Sequence, residues 1–144
     1  MQRAVIGLFL LPVGLLCGCG GSAPESPFVS PPHGGNIIGL PDSRGFVELK
    51  SLREPPAKGG SKTPLKSRIV AYFYQDDSTT AMSPAPADVK VTLGAGTGNV
   101  VSLSPESAEP GQFASKPGDY PDALRGNMEF TLDGKPVQLT FTFR

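Results

Sequence analysis

The chain has 144 residues, enough for one domain, with 13 basic residues, 13 acidic residues and a single histidine. That balance offers no basic face, so no nucleic-acid partner is expected. With 18 glycines and 16 prolines, the composition favours turns and loops over long helices.

Met1–Arg3 is a short positive region, and Ala4–Leu16 is apolar apart from Gly7, Pro12 and Gly14. A spanning helix needs about 20 apolar residues to cross roughly 30 Å of hydrocarbon. This run is shorter and carries Pro12, so residues 1–18 read as a cleaved targeting segment. Its exit, Leu16-Cys17-Gly18-Cys19, resembles a bacterial lipobox: a large apolar residue, a small one, Gly or Ala, then Cys. The resemblance implies a diacylglyceryl group on the Cys19 sulfur, cleavage after Gly18, and acylation of the new amine by a fatty acid such as palmitate. The alternative is a plain signal peptide cut near Gly21 or Ala23. Each buried methylene contributes about 0.8 kcal/mol and one chain holds only marginally, so several chains on one cysteine suit stable anchoring. Gly20 follows the cysteine, not Asp. In enterobacterial-type sorting that resemblance favours the outer membrane, so the expected location is the cell envelope, facing the periplasm or the surface.

Loss of Arg3 with the signal leaves 12 basic against 13 acidic residues. Cys17 leaves too and Cys19 is acylated, so the folded part has no disulfide and no thiol nucleophile. It must rest on its apolar core alone. Residues 19–35 are the expected lipid anchor and tether. Within them Gly20–Pro32 (GGSAPESPFVSPP) is too polar and proline-rich to bury its own surface, so disorder with polyproline II bias is expected.

From Asn36 to Arg144 the period is two. Asn36–Leu40 is a short strand, and Pro41-Asp42-Ser43 a turn. In Gly45–Leu52, Val47 and Leu49 face one way, Glu48 and Lys50 the other. Arg53–Pro64 is a long Gly/Pro loop with a mild basic excess, read as a solvated loop rather than a headgroup contact. Arg68–Gln75 is apolar on both faces, Ile69, Ala71 and Phe73 against Val70, Tyr72 and Tyr74, as a central strand or one with a covered outer face requires. Thr79–Ala87 is a Pro-rich connection. Asp88–Leu93 points Val89, Val91 and Leu93 inward, and Asn99–Ser104 puts Val101 and Leu103 on one side. Gln112–Ser115 is a weak strand around Phe113, between the loops Pro105–Gly111 and Lys116–Ala123.

The firmest local signal is Asp133-Gly134 between Gly126–Leu132 and Lys135–Phe143, a type I′ hairpin. It sets Leu132 opposite Lys135, Phe130 opposite Val137 and Met128 opposite Leu139, with the large apolar residues on one face. Pro136, opposite Thr131, then requires a sheet edge. The fold expected is all-β: a single immunoglobulin-like antiparallel β-sandwich of about seven or eight strands, with a small open barrel as the alternative.

His33 lies in Pro31-Pro32-His33-Gly34-Gly35. A lone histidine is a weak metal site; oxygen partners could come from Asp76, Asp77, Asp119 or Asp122 were they to converge in space. A Ser-His-Asp triad needs a rigidly oriented ring, against which the Pro/Gly surroundings argue. Gly94-Ala95-Gly96-Thr97-Gly98 precedes a strand, not a helix, so it reads as a glycine-rich turn and not a phosphate loop. The acidic pairs Asp76-Asp77 and Asp119/Asp122 offer too few oxygens each for calcium. Tyr72 and Tyr74 read as packing residues. No catalytic residue, metal ligand or cofactor is assigned.

Pro32-His33-Gly34-Gly35, then Phe46-Val47-Glu48-Leu49 and a β-rich body, resembles a group of small, mostly uncharacterised bacterial envelope lipoproteins. The resemblance implies no activity and no site residue. The function expected is a lipid-anchored, non-enzymatic interaction or structural module, bound to the membrane through Cys19 and to an envelope protein through sheet edges or loops. The alternative is a periplasmic metal- or solute-binding lipoprotein using His33 and loop carboxylates.

Overall fold

A computed structural model describes residues 30–55, 65–94 and 98–143. The expected signal peptide, Cys19, the expected tether up to residue 29, residues 56–64 of the basic loop and residues 95–97 of the glycine run lie outside them.

Nine strands form two antiparallel sheets. They are β1 (Asn36–Gly39), β2 (Phe46–Arg53), β3 (Ser67–Tyr74), β4 (Ala87–Leu93), β5 (Asn99–Ser102), β6 (Ser104–Pro105), β7 (Gln112–Ala114), β8 (Arg125–Leu132) and β9 (Lys135–Thr142). One sheet has the order β1-β2-β3-β7-β6, the other β5-β4-β8-β9. With β1 set aside, this is the A-B-E-D sheet facing C′-C-F-G of an immunoglobulin-like sandwich; β1 adds a strand outside A.

The core lies between the sheets. Ile69, Ala71 and Phe73 of β3 are fully buried, as are Val47 and Leu49 of β2, Val91 of β4 and Met128 of β8. Phe73 meets Phe113 and Phe130 edge-on, with ring centroids 5.4 and 5.1 Å apart, and so ties β7 and β8 to the middle of the core. The outer face of β3 is covered as well, because Val70, Tyr72 and Tyr74 form a second small cluster with Ala114.

The β8–β9 register is the one the turn demands, from Leu132↔Lys135 through Met128↔Leu139. Asp133 (φ 52°) and Gly134 (φ 73°) both take the left-handed conformation that a type I′ turn needs. Pro136 sits opposite Thr131, and β9 is an edge strand.

The strand count exceeds the expected seven or eight for one reason. The stretch Asn99–Ser104 is not a single strand. Its first part pairs with β4, its last residue joins the other sheet, and Leu103 drops into the core at the crossing, its N–H donating to Val89 O. Alternation is the same whichever sheet a strand joins, so the crossing leaves no mark on the pattern.

Candidate functional site

Among the described residues, the one dense cluster of titratable side chains lies on the outer face of the β1-β2-β3 sheet, and the segment Pro31–Gly35 builds it. Gly34 N–H donates to Pro31 O at 3.2 Å, closing a tight turn with Pro32 and His33 at its corners. Proline suits the first corner, and Gly34 (φ 70°) takes the left-handed exit. Gly35 then passes directly over Glu48: a Cβ there would stand 2.8 Å from Glu48 Cγ and 3.0 Å from Leu49 O. Only glycine allows that approach without a shift.

Alternation puts Glu48 on the outer face of β2, yet it is fully buried. The turn above it is the cover. Glu48 accepts from Gly35 N–H at 2.6 Å and from His33 N–H at 3.1 and 3.2 Å. A buried carboxylate is tolerated when such donors satisfy it. Lys50, two residues along the same face, donates to His33 O at 2.7 Å.

The imidazole of His33 stacks flat on Tyr72, centroids 3.8 Å apart and planes 2° from parallel. Its Nε2 lies 2.9 Å from Glu109 Oε1, and its Nδ1 lies 2.8 Å from the Tyr74 hydroxyl and 3.3 Å from Glu48 Oε2. A neutral ring with its proton on Nε2 meets both close partners: Nε2–H donates to Glu109, and Tyr74 O–H donates to Nδ1. Glu109 comes from the β6–β7 hairpin, which an ion pair between Arg68 and Glu106 and a bond from Arg68 Nε to Ser115 O hold against β3. Burial, then the carboxylates of Glu48 and Glu109, raise the Tyr74 phenol well above its ordinary value. Burial, then Glu109 and Glu48, raise Tyr72 in the same direction. Both phenols therefore keep their protons at neutral pH, and Tyr74 acts as a donor to His33 Nδ1.

These contacts correct two expectations. His33 is not loosely held by its Pro/Gly surroundings; the turn and four side chains, Glu48, Tyr72, Tyr74 and Glu109, fix its ring. Nor do the loop aspartates converge on it. Asp77 caps its own turn, accepting from Thr79 N–H and from Thr80 N–H and hydroxyl. Asp122 pairs with Arg53, while Asp119 lines a cleft beside Tyr120 and Asp76 one beside Arg44. The carboxylates at His33 are Glu48 and Glu109. Among the described residues no three His, Cys, Asp or Glu side chains gather as a metal ion would require. Glu109, Lys50 and Tyr74 were not singled out as a group from the sequence. The usable signal was the antiparallel pairing of β2 with β3, which sets Glu48 beside Tyr72.

Compared with protein-family models, with curated proteins and with solved structures, the chain matches none of them.

Proposed function

We propose that the chain is a lipid-anchored cell-envelope β-sandwich that works as a non-enzymatic interaction module. The lipobox-like Leu16–Cys19 supports the anchor. The observation that carries the reading is the His33 cluster. Its histidine, carboxylates and phenols are turned on one another and on the backbone of Pro31–Gly35, the point where the tether meets the domain. The cluster is a clasp: it fastens the anchored end of the chain across the middle of a sheet, so the sandwich is presented as one rigid body.

The test is intact-mass analysis of the protein purified from bacterial membranes, beside Cys19→Ser. The wild type is expected to begin at Cys19 and carry a diacylglyceryl group and a further acyl chain. The variant is expected to lack both and leave the membrane fraction. An unmodified wild-type thiol would sink the anchor.

A second reading, metal or solute binding at His33, has one observation in its favour: Glu48 and Glu109 stand at the two ring nitrogens. A metal would have to displace the bonds to Glu109 or Tyr74. Calorimetric titration with Cu²⁺ and Zn²⁺, wild type against His33→Ala, separates the readings, because only a metal site gives heat that depends on the histidine.

A further inference from the structure

β9 ends its sheet, with β8 on one side and, among the described residues, no strand on the other. The hairpin determines what the free side carries. Leu132 and Lys135 flank a two-residue turn and exchange hydrogen bonds, and bonded and non-bonded pairs alternate from there. Val137, Leu139 and Phe141 therefore bond to β8, while Pro136, Gln138, Thr140 and Thr142 turn their backbone groups outward. Pro136 has no N–H. The other three present a regular row of donors and acceptors.

Edge strands are ordinarily blunted by shortness, charge, proline, a bulge or a cover, and in β9 the charge and the proline, Lys135 and Pro136, stand together at its first two residues. β1 and β5 have four residues each and β6 two, whereas β9 has eight. Its register with β8 is unbroken by a bulge. The side chains of Gln138, Thr140 and Thr142 are exposed and uncharged.

The geometry points to a symmetric dimer of this chain, in which β9 pairs antiparallel with β9 of a second copy, Thr140 facing Thr140 across the two-fold axis. This register sets Gln138 opposite Thr142, leaves Pro136 outside the ladder and opposes no like charges. On the core side it lays Leu139 beside Phe141 and Val137 beside Phe143. Those are apolar residues at the rim of the core: Val137 and Leu139 each keep 8% exposure, where Met128 and Val91 keep none, and Phe143 is only partly buried. The two four-stranded sheets become one continuous sheet.

A second copy is the occupant for two further reasons. Any copy carries the same uncharged stretch from Gln138 to Thr142, so the pairing closes by symmetry and leaves no free β9 edge to propagate. The clasp lays Pro31–Gly35, where the proposed tether ends, on the outer face of the other sheet, so the point of attachment lies away from the β9 edge. This second reason rests on the proposed anchor, which also raises the local concentration of copies in one bilayer.

The test uses the full chain purified in detergent from bacterial membranes, followed by sedimentation and intact mass. The wild type is expected to dimerise reversibly. Thr140→Lys puts two ammonium groups across the axis and should raise the dimer dissociation constant about tenfold or more, with an unchanged far-UV spectrum. Paired Cα atoms on such a ladder stand about 5.5 Å apart, within disulfide reach. Thr140→Cys should therefore give a disulfide-linked dimer on mild oxidation, and Lys90→Cys, exposed on the interior strand β4, should not. A monomeric wild type, a dimer indifferent to Thr140→Lys, or equal cross-linking at both cysteines overturns the dimer. The two proposals fail separately: a monomer acylated at Cys19 overturns only the dimer, and a dimer with an unmodified Cys19 overturns only the anchor.

Discussion

Replacing Glu48 by alanine tests the clasp most directly. The carboxylate, itself fully buried, accepts from the backbone N–H groups of Gly35 and His33 and lies against the half-buried His33 ring. A hydrogen bond to a charged group contributes about 1.5–3 kcal/mol. The sum over these bonds is an upper bound, because the released segment can lift off and be hydrated. The loss is therefore capped at what docking Pro31–Gly35 contributes, and about 2–4 kcal/mol is expected. For a domain of this size that is a fall of roughly 10–20 °C in Tm. Glu48→Gln keeps one acceptor oxygen for Gly35 N–H and should lose about half as much. Thermal unfolding followed by far-UV dichroism gives the magnitude. Near-UV dichroism gives the location, since the chain has no tryptophan and only three tyrosines, two of them in the cluster. Hydrogen exchange at Gly35 should accelerate in the variant while the Phe73 amide in β3 stays protected. A Glu48→Ala protein that melts within about 2 °C of the wild type, with Gly35 exchange unchanged, would refute the view that this carboxylate holds the segment.

Three other outcomes rest on the clasp and on two separate turns. Tyr72 and Tyr74 have raised phenols, so the native state keeps protons that the unfolded chain releases near a pH of about 10; stability should fall as pH rises beyond that point. In ultraviolet difference titration, ionisation of all three tyrosines together near about 10 in the folded protein would contradict the packed cluster. Asp77 is lowered to about 2 by the Thr80 hydroxyl and the Thr80 and Thr79 N–H groups, so its contribution is complete above the ordinary carboxylate value and is lost as pH falls through about 2. Asp77→Asn should flatten that part of the acid limb in thermal melts taken across it, and parallel curves would remove the turn's cap. Gly134→Val forces a β-branched residue to φ 73°, at a cost of about 1–2 kcal/mol, or roughly 5–10 °C in Tm; an unchanged melt would mean that the turn is not of the type described.

The sandwich was legible because its signals are local. Alternation in β2, β3, β4, β8 and β9 follows the inward and outward faces residue by residue, and Asp133-Gly134 sets a register that the structure keeps. The clasp was legible only in pieces. Pro32, Gly34 and Gly35 carry ordinary turn chemistry, and turn chemistry alone does not say whether a turn is free or docked. What docks it is Glu48, whose place in the alternation points it outward, to water unless something covers it. Glu109 was beyond reach altogether: it lies in a loop without periodicity, 76 residues from His33, and only the β3–β7 pairing brings it near.

The clasp resolves two difficulties that neither side resolves alone. A central strand such as β3, apolar on both faces, leaves Val70, Tyr72 and Tyr74 to be covered from outside the sandwich. A glutamate in the strand beside it cannot be buried without donors. A glycine-rich turn laid over both supplies backbone N–H groups to the acid and a flat imidazole to the tyrosine. The elements are therefore cooperative: removing the turn exposes the aromatic face and strips the acid of its donors, and removing the acid orphans the turn. Such mutual dependence makes Pro31–Gly35 part of the folded unit. The folded unit accordingly includes the Pro31 turn, upstream of the first strand at Asn36, and a pull on the proposed anchored end would reach the β2–β3 pair through the His33–Glu48 contacts before it reached β1.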